Sequence, residues 1–263
     1  MKPDLFAIGP FVVHGYGLMI ALGVAAALFV GEKRAPKLGL NGDHLFSIAI
    51  WGVTGGVIGS KVLYWIVELP SILENPAILL DIGHGFVVYG GILGGILGGF
   101  LYCRLKKLSF LKYFDLVMPS VALAQGFGRL GCLLAGCCYG RQTDGWFRIV
   151  FTESPIAPNG VPLIPTQLIS SLANFAHFAV LVWAAKRVKA DGQVAGLYLI
   201  FYSIGRSLIE LLRDDPRGAV GGLSTSQFIS LFILIVGVCM VVVFGRRGKE
   251  RSHVFDRGPG QSR

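Results

Sequence analysis

The feature that most constrains this chain is a succession of about seven apolar runs, each near the ~20 residues an α-helix needs to cross the hydrocarbon core of a bilayer. A helix satisfies its own backbone hydrogen bonds, which no loop or open sheet edge can do in lipid. The runs cover 11–31, about 45–67, 86–102, 115–139, 166–185 and 194–212, and a last one starts behind Ser224 and Thr225 and stops at Arg246-Arg247. With 53% hydrophobic and only 15% charged residues among 263, and a mean hydropathy of +0.65, the chain is too apolar for a soluble domain of this length. The expected fold class is an all-α polytopic membrane protein with about seven transmembrane helices.

Orientation follows from the polar stretches between the runs. Lys33, Arg34, Lys37, Arg104, Lys106, Lys107, Lys112, Lys186, Arg187, Lys189, Arg246, Arg247, Lys249, Arg251, Arg257 and Arg263 fall on one side, against only Lys2, Arg141, Arg148, Arg213 and Arg217 on the other. The basic side is cytoplasmic, so the N-terminus is expected outside and the C-terminus inside. A cleaved leader would carry its positive charge ahead of the first apolar run; here only Lys2 precedes it and Glu32-Lys33-Arg34 follows, so that run is expected to stay. Residues 1–245 read as one transmembrane helical domain, and 246–263 as a basic, disordered cytoplasmic tail. The net charge of +9 sits in short patches between apolar runs, which points to anionic lipid headgroups and away from nucleic acid.

Polar residues inside the runs are the candidates for function. The segment Gly128-Arg129-Leu130-Gly131-Cys132-Leu133-Leu134-Ala135-Gly136-Cys137-Cys138-Tyr139-Gly140 puts an arginine and three thiols into an apolar stretch whose glycines let a backbone or a ligand approach. A guanidinium at membrane depth is costly unless it faces a wet or anionic cavity. Tyr202, Arg206 and Glu210 recur at intervals of four and share one helix face, which Arg213 extends. Counting depth from the rise per residue brings Tyr16, Lys61, Tyr89, Arg129, Gln167 and the Tyr202 face into the outer half of the bilayer. There Lys61, Arg129 and Arg206 face only Glu210, and a surplus of desolvated cations favours an anionic ligand; in a membrane that is first of all a phospholipid phosphate, which arginine's planar fork holds bidentately. The blander reading is a set of local ion pairs holding a bundle together. Glycines at 90, 94, 98 and at 91, 95, 99 form two ridges for close helix packing. Five cysteines exclude a complete disulfide framework, neither usual zinc spacing appears, and no metal or cofactor is expected.

These residues resemble the prolipoprotein diacylglyceryl transferase family, inner-membrane enzymes of bacteria that move a diacylglyceryl group from phosphatidylglycerol to the lipobox cysteine of a preprolipoprotein. The resemblance is carried by His14-Gly15-Tyr16-Gly17-Leu18-Met19, Tyr89-Gly90-Gly91, the stretch from Gly128 to Gly140, Pro165-Thr166-Gln167-Leu168, and Tyr202-x-x-x-Arg206-x-x-x-Glu210-x-x-Arg213. It implies that the peptide's own thiol attacks the glycerol carbon bearing the phosphate ester and that glycerol 1-phosphate leaves. Arg129, Arg206, Glu210 and Tyr89 are then the expected catalytic residues, with Tyr16, Lys61, Arg129, Gly140, Gln167 and Tyr202 binding substrate. The chain departs from the family where Tyr89 replaces a histidine, Cys132 and Cys137 replace an asparagine and a glutamate, and Ile164 replaces a histidine. Two rival readings remain: a non-catalytic relative that binds or conducts lipid or solute, and a periplasm-facing thiol redox protein built on Cys132, Cys137 and Cys138.

Overall fold

The computed structural model describes residues 4–8, 11–81, 83–188, 190–215 and 218–256. Helices dominate: α1 (Gly15–Arg34), α2 (Asp43–Val67), the short α3 (Leu69–Glu74), α4 (Val88–Leu105), α5 (Phe110–Ala135), α6 (Thr166–Ala184), α7 (Gln193–Glu210) and α8 (Thr225–Asp256). Among the described residues six of them, α1, α2, α4, α5, α6 and the 225–246 part of α8, are long and apolar enough to cross a membrane. The seventh expected span is α7, which matches α4 in length at 18 residues but carries Gln193, Arg206 and Glu210 and so falls short of the others in apolarity. Large apolar side chains stand exposed along the long helices, among them Phe46, Val53 and Ile58 on α2, Leu93 and Leu97 on α4, and Leu231, Phe232 and Ile235 on α8. Such surfaces are stable in hydrocarbon and not in water, so the chain is a multi-pass membrane protein.

Boundaries differ from expectation at two instructive places. Residues 11–14 are not helical: β2 (Phe11–His14), with β-branched Val12 and Val13, pairs antiparallel with β1 (Asp4–Ile8). The fourth span is shifted toward the N-terminus. It begins at Phe110, runs through Pro119, and ends at Ala135 because Gly136 turns left-handed. The basic stretch from 246 on continues α8 to Asp256, while Lys2, Lys189, Pro216, Arg217 and residues 257–263 lie outside the described part.

The chain packs as two units, residues 32–113 and residues 1–31 with 114–263. In the first of these, α2 and α4 cross backbone to backbone. Gly55 and Gly59 of α2 meet Gly94 and Gly90 of α4, and a Cβ on Gly56 or Gly95 would stand 3.2 Å from the facing carbonyl of Gly91 or Gly52. The two ridges expected on α4 therefore find a matching pair on α2. Above the crossing, the buried Lys61 ammonium donates to the carbonyls of Asp81 and His84, the latter at 2.6 Å, and lies 5.0 Å from the Tyr64 ring centroid. Tyr89 stands in the first turn of α4 and is part-exposed.

In the other unit α5 is the shared element. α1 packs on it through small residues: a Cβ on Gly23 would sit 3.0 Å from Phe127 Cβ, and one on Gly131 would sit 3.1 Å from Tyr16 Cδ2. On another side of α5, α6 is pinned by Ser171 Oγ donating to Gly126 O at 2.9 Å. The far end of α5 holds the start of α7, where the Asp115 carboxylate accepts from the backbone N–H of Gly192 at 2.7 Å and of Ala195 at 2.8 Å. Met118, Ala122, Leu181, Val194, Ala195 and Tyr198 form the core between them. α8 then lies along α7, with Gly196 and Gly237 facing each other.

Candidate functional site

The central motif occupies the last two turns of α5 and the loop beyond it. Gly136, at φ +73°, closes the helix: its N–H donates to Leu133 O at 3.3 Å and the N–H of Cys137 donates to Cys132 O at 3.1 Å. This double closure brings together the side chains of the two residues it joins, which here are Cys132 and Cys137. Cys138 is itself left-handed at φ +61°, uncommon for a residue with a side chain, and turns a third thiol back toward the first two. The three Sγ atoms lie within 4.8 Å of one another.

The N-terminus of α6 holds this loop in place. Thr166 Oγ1 donates to Cys138 O and Gln167 Nε2 donates to Cys137 O, both at 2.8 Å. Gln167 is 1% exposed, and its Oε1 is buried without a hydrogen-bond partner. Gly140 bridges to Arg213, flanked by Arg141 N–H to Leu212 O at 2.9 Å and Asp214 N–H to Tyr139 O at 3.3 Å, which stitches the segment after α5 to the segment after α7. No side chain fits at Gly140, where a Cβ would lie 2.8 Å from Thr166 Cγ2. The rest of the stretch between α5 and α6 folds over Phe151, Ala157 and Leu163 through β3 (Ile149–Val150) and β4 (Pro162–Leu163) and contains no helix.

The arginines differ in their surroundings. Arg206 Nη1 lies 2.9 Å from Glu210 Oε2 one turn along α7, and its Nη2 donates to Ser226 Oγ at 2.6 Å in the first turn of α8. Arg213 is bidentate on Asp215, at 2.9 and 2.6 Å. Arg129, half-buried on α5, has no carboxylate within ion-pair distance among the described residues. It acts electrostatically on Arg206, on Tyr16 and on the cysteine cluster. A guanidinium in an apolar helix with no anion beside it is a ready receptor for one.

The structure thus brings together Arg129, Arg206, Glu210, Gly140, Gln167 and Tyr16. Tyr202 lies on the same helix as Arg206 but stacks on Tyr198, ring centroids 5.9 Å apart. Lys61 and Tyr89 belong to the other unit. Of the expected cation surplus, Lys61 is taken up by two backbone carbonyls and Arg206 by Glu210, which leaves Arg129. Ser226 and Asp215 hold the arginines and were not singled out in the sequence; Asp215 stood in view beside Arg213, whereas Ser226 offered only a hydroxyl in a helix's first turn.

A family model described as prolipoprotein diacylglyceryl transferase matches residues 3–243. A phosphatidylglycerol–prolipoprotein diacylglyceryl transferase of Clostridium tetani is 51% identical over 238 residues, covering 90% of this chain and 96% of its own length. A second protein of that name, from Clostridium perfringens, is 47% identical over 91% of this chain and 94% of its own length, and one from Finegoldia magna is 32% identical over 92% and 95%. The match spans every helix that builds the site, the Arg129 turn of α5 and the Arg206–Glu210 face of α7 included, and the chain belongs to the prolipoprotein diacylglyceryl transferase family.

Proposed function

We propose that this chain transfers the diacylglyceryl group of phosphatidylglycerol to the thiol of the lipobox cysteine of preprolipoproteins, at the outer face of a bacterial inner membrane, and releases glycerol 1-phosphate. The observation that carries this reading is the guanidinium of Arg129, half-buried in an apolar helix with no carboxylate against it. Phosphatidylglycerol supplies the missing anion. Its phosphate docks on Arg129, whose fork takes two oxygens at once. Arg206, already oriented by Glu210 and Ser226, adds guanidinium donors whose position needs no rearrangement during the reaction.

The peptide thiol attacks the glycerol carbon that bears the phosphate ester, the C–O bond breaks, and the electron pair stays on the phosphate. Negative charge grows on the leaving oxygen, so contacts to it strengthen in the transition state. Gly131 admits the close approach of Tyr16 and Gly140 that of Thr166, and Gln167 holds the loop that carries Gly140. Tyr16 and Tyr202 contact the headgroup, and Tyr89→Phe tests separately whether that phenol takes part in turnover.

The test is transfer itself. Protein in liposomes containing phosphatidylglycerol and given a lipobox peptide is expected to add one diacylglyceryl mass to the cysteine and none to a serine peptide. Liposomes of phosphatidylcholine alone serve as the control. An intact peptide in phosphatidylglycerol liposomes, with the protein folded, would overturn the assignment.

A further inference from the structure

The proposed reaction alkylates a thiol that near neutral pH is only a few per cent thiolate, so something must deliver the sulfur as an anion. Glu210, the carboxylate in the Arg129 unit that faces the site, is engaged by Arg206. What lies one turn from Arg129 instead is the cluster of Cys132, Cys137 and Cys138.

This cluster has the features of a metal site. Its sulfurs lie within 4.8 Å of one another, and tetrahedral Zn–S bonds of ~2.3 Å place sulfurs ~3.8 Å apart, so small χ1 adjustments close the set. The chain lacks the two spaced ligand pairs of the usual zinc motifs, but Cys132 and Cys137 are separated by four residues and Cys138 follows directly, so one helix end supplies all three sulfurs. The ligand loop is fixed from outside, with Gln167 on the Cys137 carbonyl and Thr166 on the Cys138 carbonyl, the kind of support that orients metal ligands. The charge also balances. Three thiolates on Zn2+ leave a net negative charge, a fourth adds another, and Arg129 and Arg213 both act on Cys138.

We propose that Cys132, Cys137 and Cys138 hold a zinc ion whose fourth position takes the cysteine thiol of the substrate peptide and presents it as a thiolate to the glyceryl carbon. Three protein ligands with one open position are what catalytic zinc sites share, and a coordinating thiol is deprotonated outright. The inference rests on the transferase reading. On binding zinc, the peptide thiol gives its proton to water. Its sulfur forms the S–C bond with a lone pair as the C–O bond breaks, and the electron pair leaves with glycerol 1-phosphate beside Arg129. The thioether formed is a weak, uncharged ligand and departs, and the three-thiolate site is as it was. No electrons are gained or lost overall.

The test uses full-length protein in detergent. One zinc per chain is expected by elemental analysis, falling at least about tenfold in Cys132→Ser, Cys137→Ser and Cys138→Ser, while Cys103→Ser and Cys239→Ser retain it. In the cobalt-substituted protein, a lipobox peptide should raise the sulfur-to-cobalt charge-transfer band by about a third, four thiolates replacing three, and a serine peptide should not. Wild-type protein that transfers diacylglyceryl without bound metal and regardless of chelator overturns the inference and leaves the transferase reading intact; so does a disulfide within the cluster in active protein. Zinc and peptide binding without transfer from phosphatidylglycerol overturns the transferase reading instead, and the delivery step with it. Should the serine variants fail to fold, the cobalt titration of the wild type decides.

Discussion

Arg129 and Arg206 sit in one site, yet truncating them should affect stability very unequally. The Arg206 and Glu210 side chains are 12% and 4% exposed and 2.9 Å apart. Arg206→Ala removes the cation one turn away from the buried Glu210 carboxylate, a loss of about 3–5 kcal/mol. At ~2–4 °C per kcal/mol for a chain of this size, melting in detergent should fall by roughly 6–20 °C. Arg129→Ala strands no carboxylate, so its melting point should stay within the shift of about 0.5 kcal/mol typical of a neutral substitution. Its damage falls on the reaction, where losing one preorganised donor to developing negative charge costs about 2.7–4 kcal/mol, roughly 10²–10³ in kcat. Paired measurements check this: thermal unfolding by intrinsic fluorescence, and peptide lipidation in phosphatidylglycerol liposomes. The double variant Arg206→Met with Glu210→Met sharpens the contrast, since removing both charges should restore melting while activity stays low. The reasoning is refuted if Arg129→Ala unfolds as early as Arg206→Ala, or if it lipidates peptide at the wild-type rate.

Other consequences can be checked one by one. Gly94→Leu drives a side chain into the Gly55 carbonyl and to 3.0 Å from Gly59 Cα; overpacking of this kind costs about 1–3 kcal/mol and should appear as earlier unfolding, with Gly17→Leu, where a Cβ meets nothing within 4 Å, as the tolerant control. Asp115→Ala removes two charge-assisted bonds to the α7 backbone, worth about 1.5–3 kcal/mol each, and should raise hydrogen exchange at Gly192 and Ala195 before the rest of α7. In the connection between α3 and α4, the His84 side chain, with the backbone N–H of His84 and Gly83, holds the Asp81 carboxyl below its ordinary 3.8. A depressed folded value means the turn's stabilisation is present above that pH and lost as pH falls through the lowered value. Protection of the Gly83 amide, relative to its intrinsic exchange rate, should therefore fall in acid, and Asp81→Ala should lack that protection at every pH. Gln167→Leu frees the Cys137 carbonyl and is expected to lower kcat by one to two orders of magnitude, as a misplacement of about 1 Å does, with little change in melting.

How far the site could be read from sequence follows from what each residue's cost depends on. A guanidinium in an apolar run is expensive wherever the run ends up, so Arg129 stood out before any fold was known, and the four-residue spacing of Arg206 and Glu210 put them on one face of α7 without reference to another helix. Lys61 was different. Counting charges finds only charged partners, and this ammonium is solvated by two peptide carbonyls of the connection that follows its own helix. The glycine ridges of α4 announced a close approach but not by what; the answer lay in Gly52, Gly55, Gly56 and Gly59 on α2, since a ridge specifies the distance of its neighbour and nothing else about it. The thiols were the least legible. Their meeting depends on a left-handed Gly136, a left-handed Cys138 and two side chains from the start of α6, so no local pattern contains it. Costs borne by a single residue can be read from its own position, whereas a geometry shared between segments appears only once each has found its partner, and the cysteine cluster beside Arg129 is of that second kind.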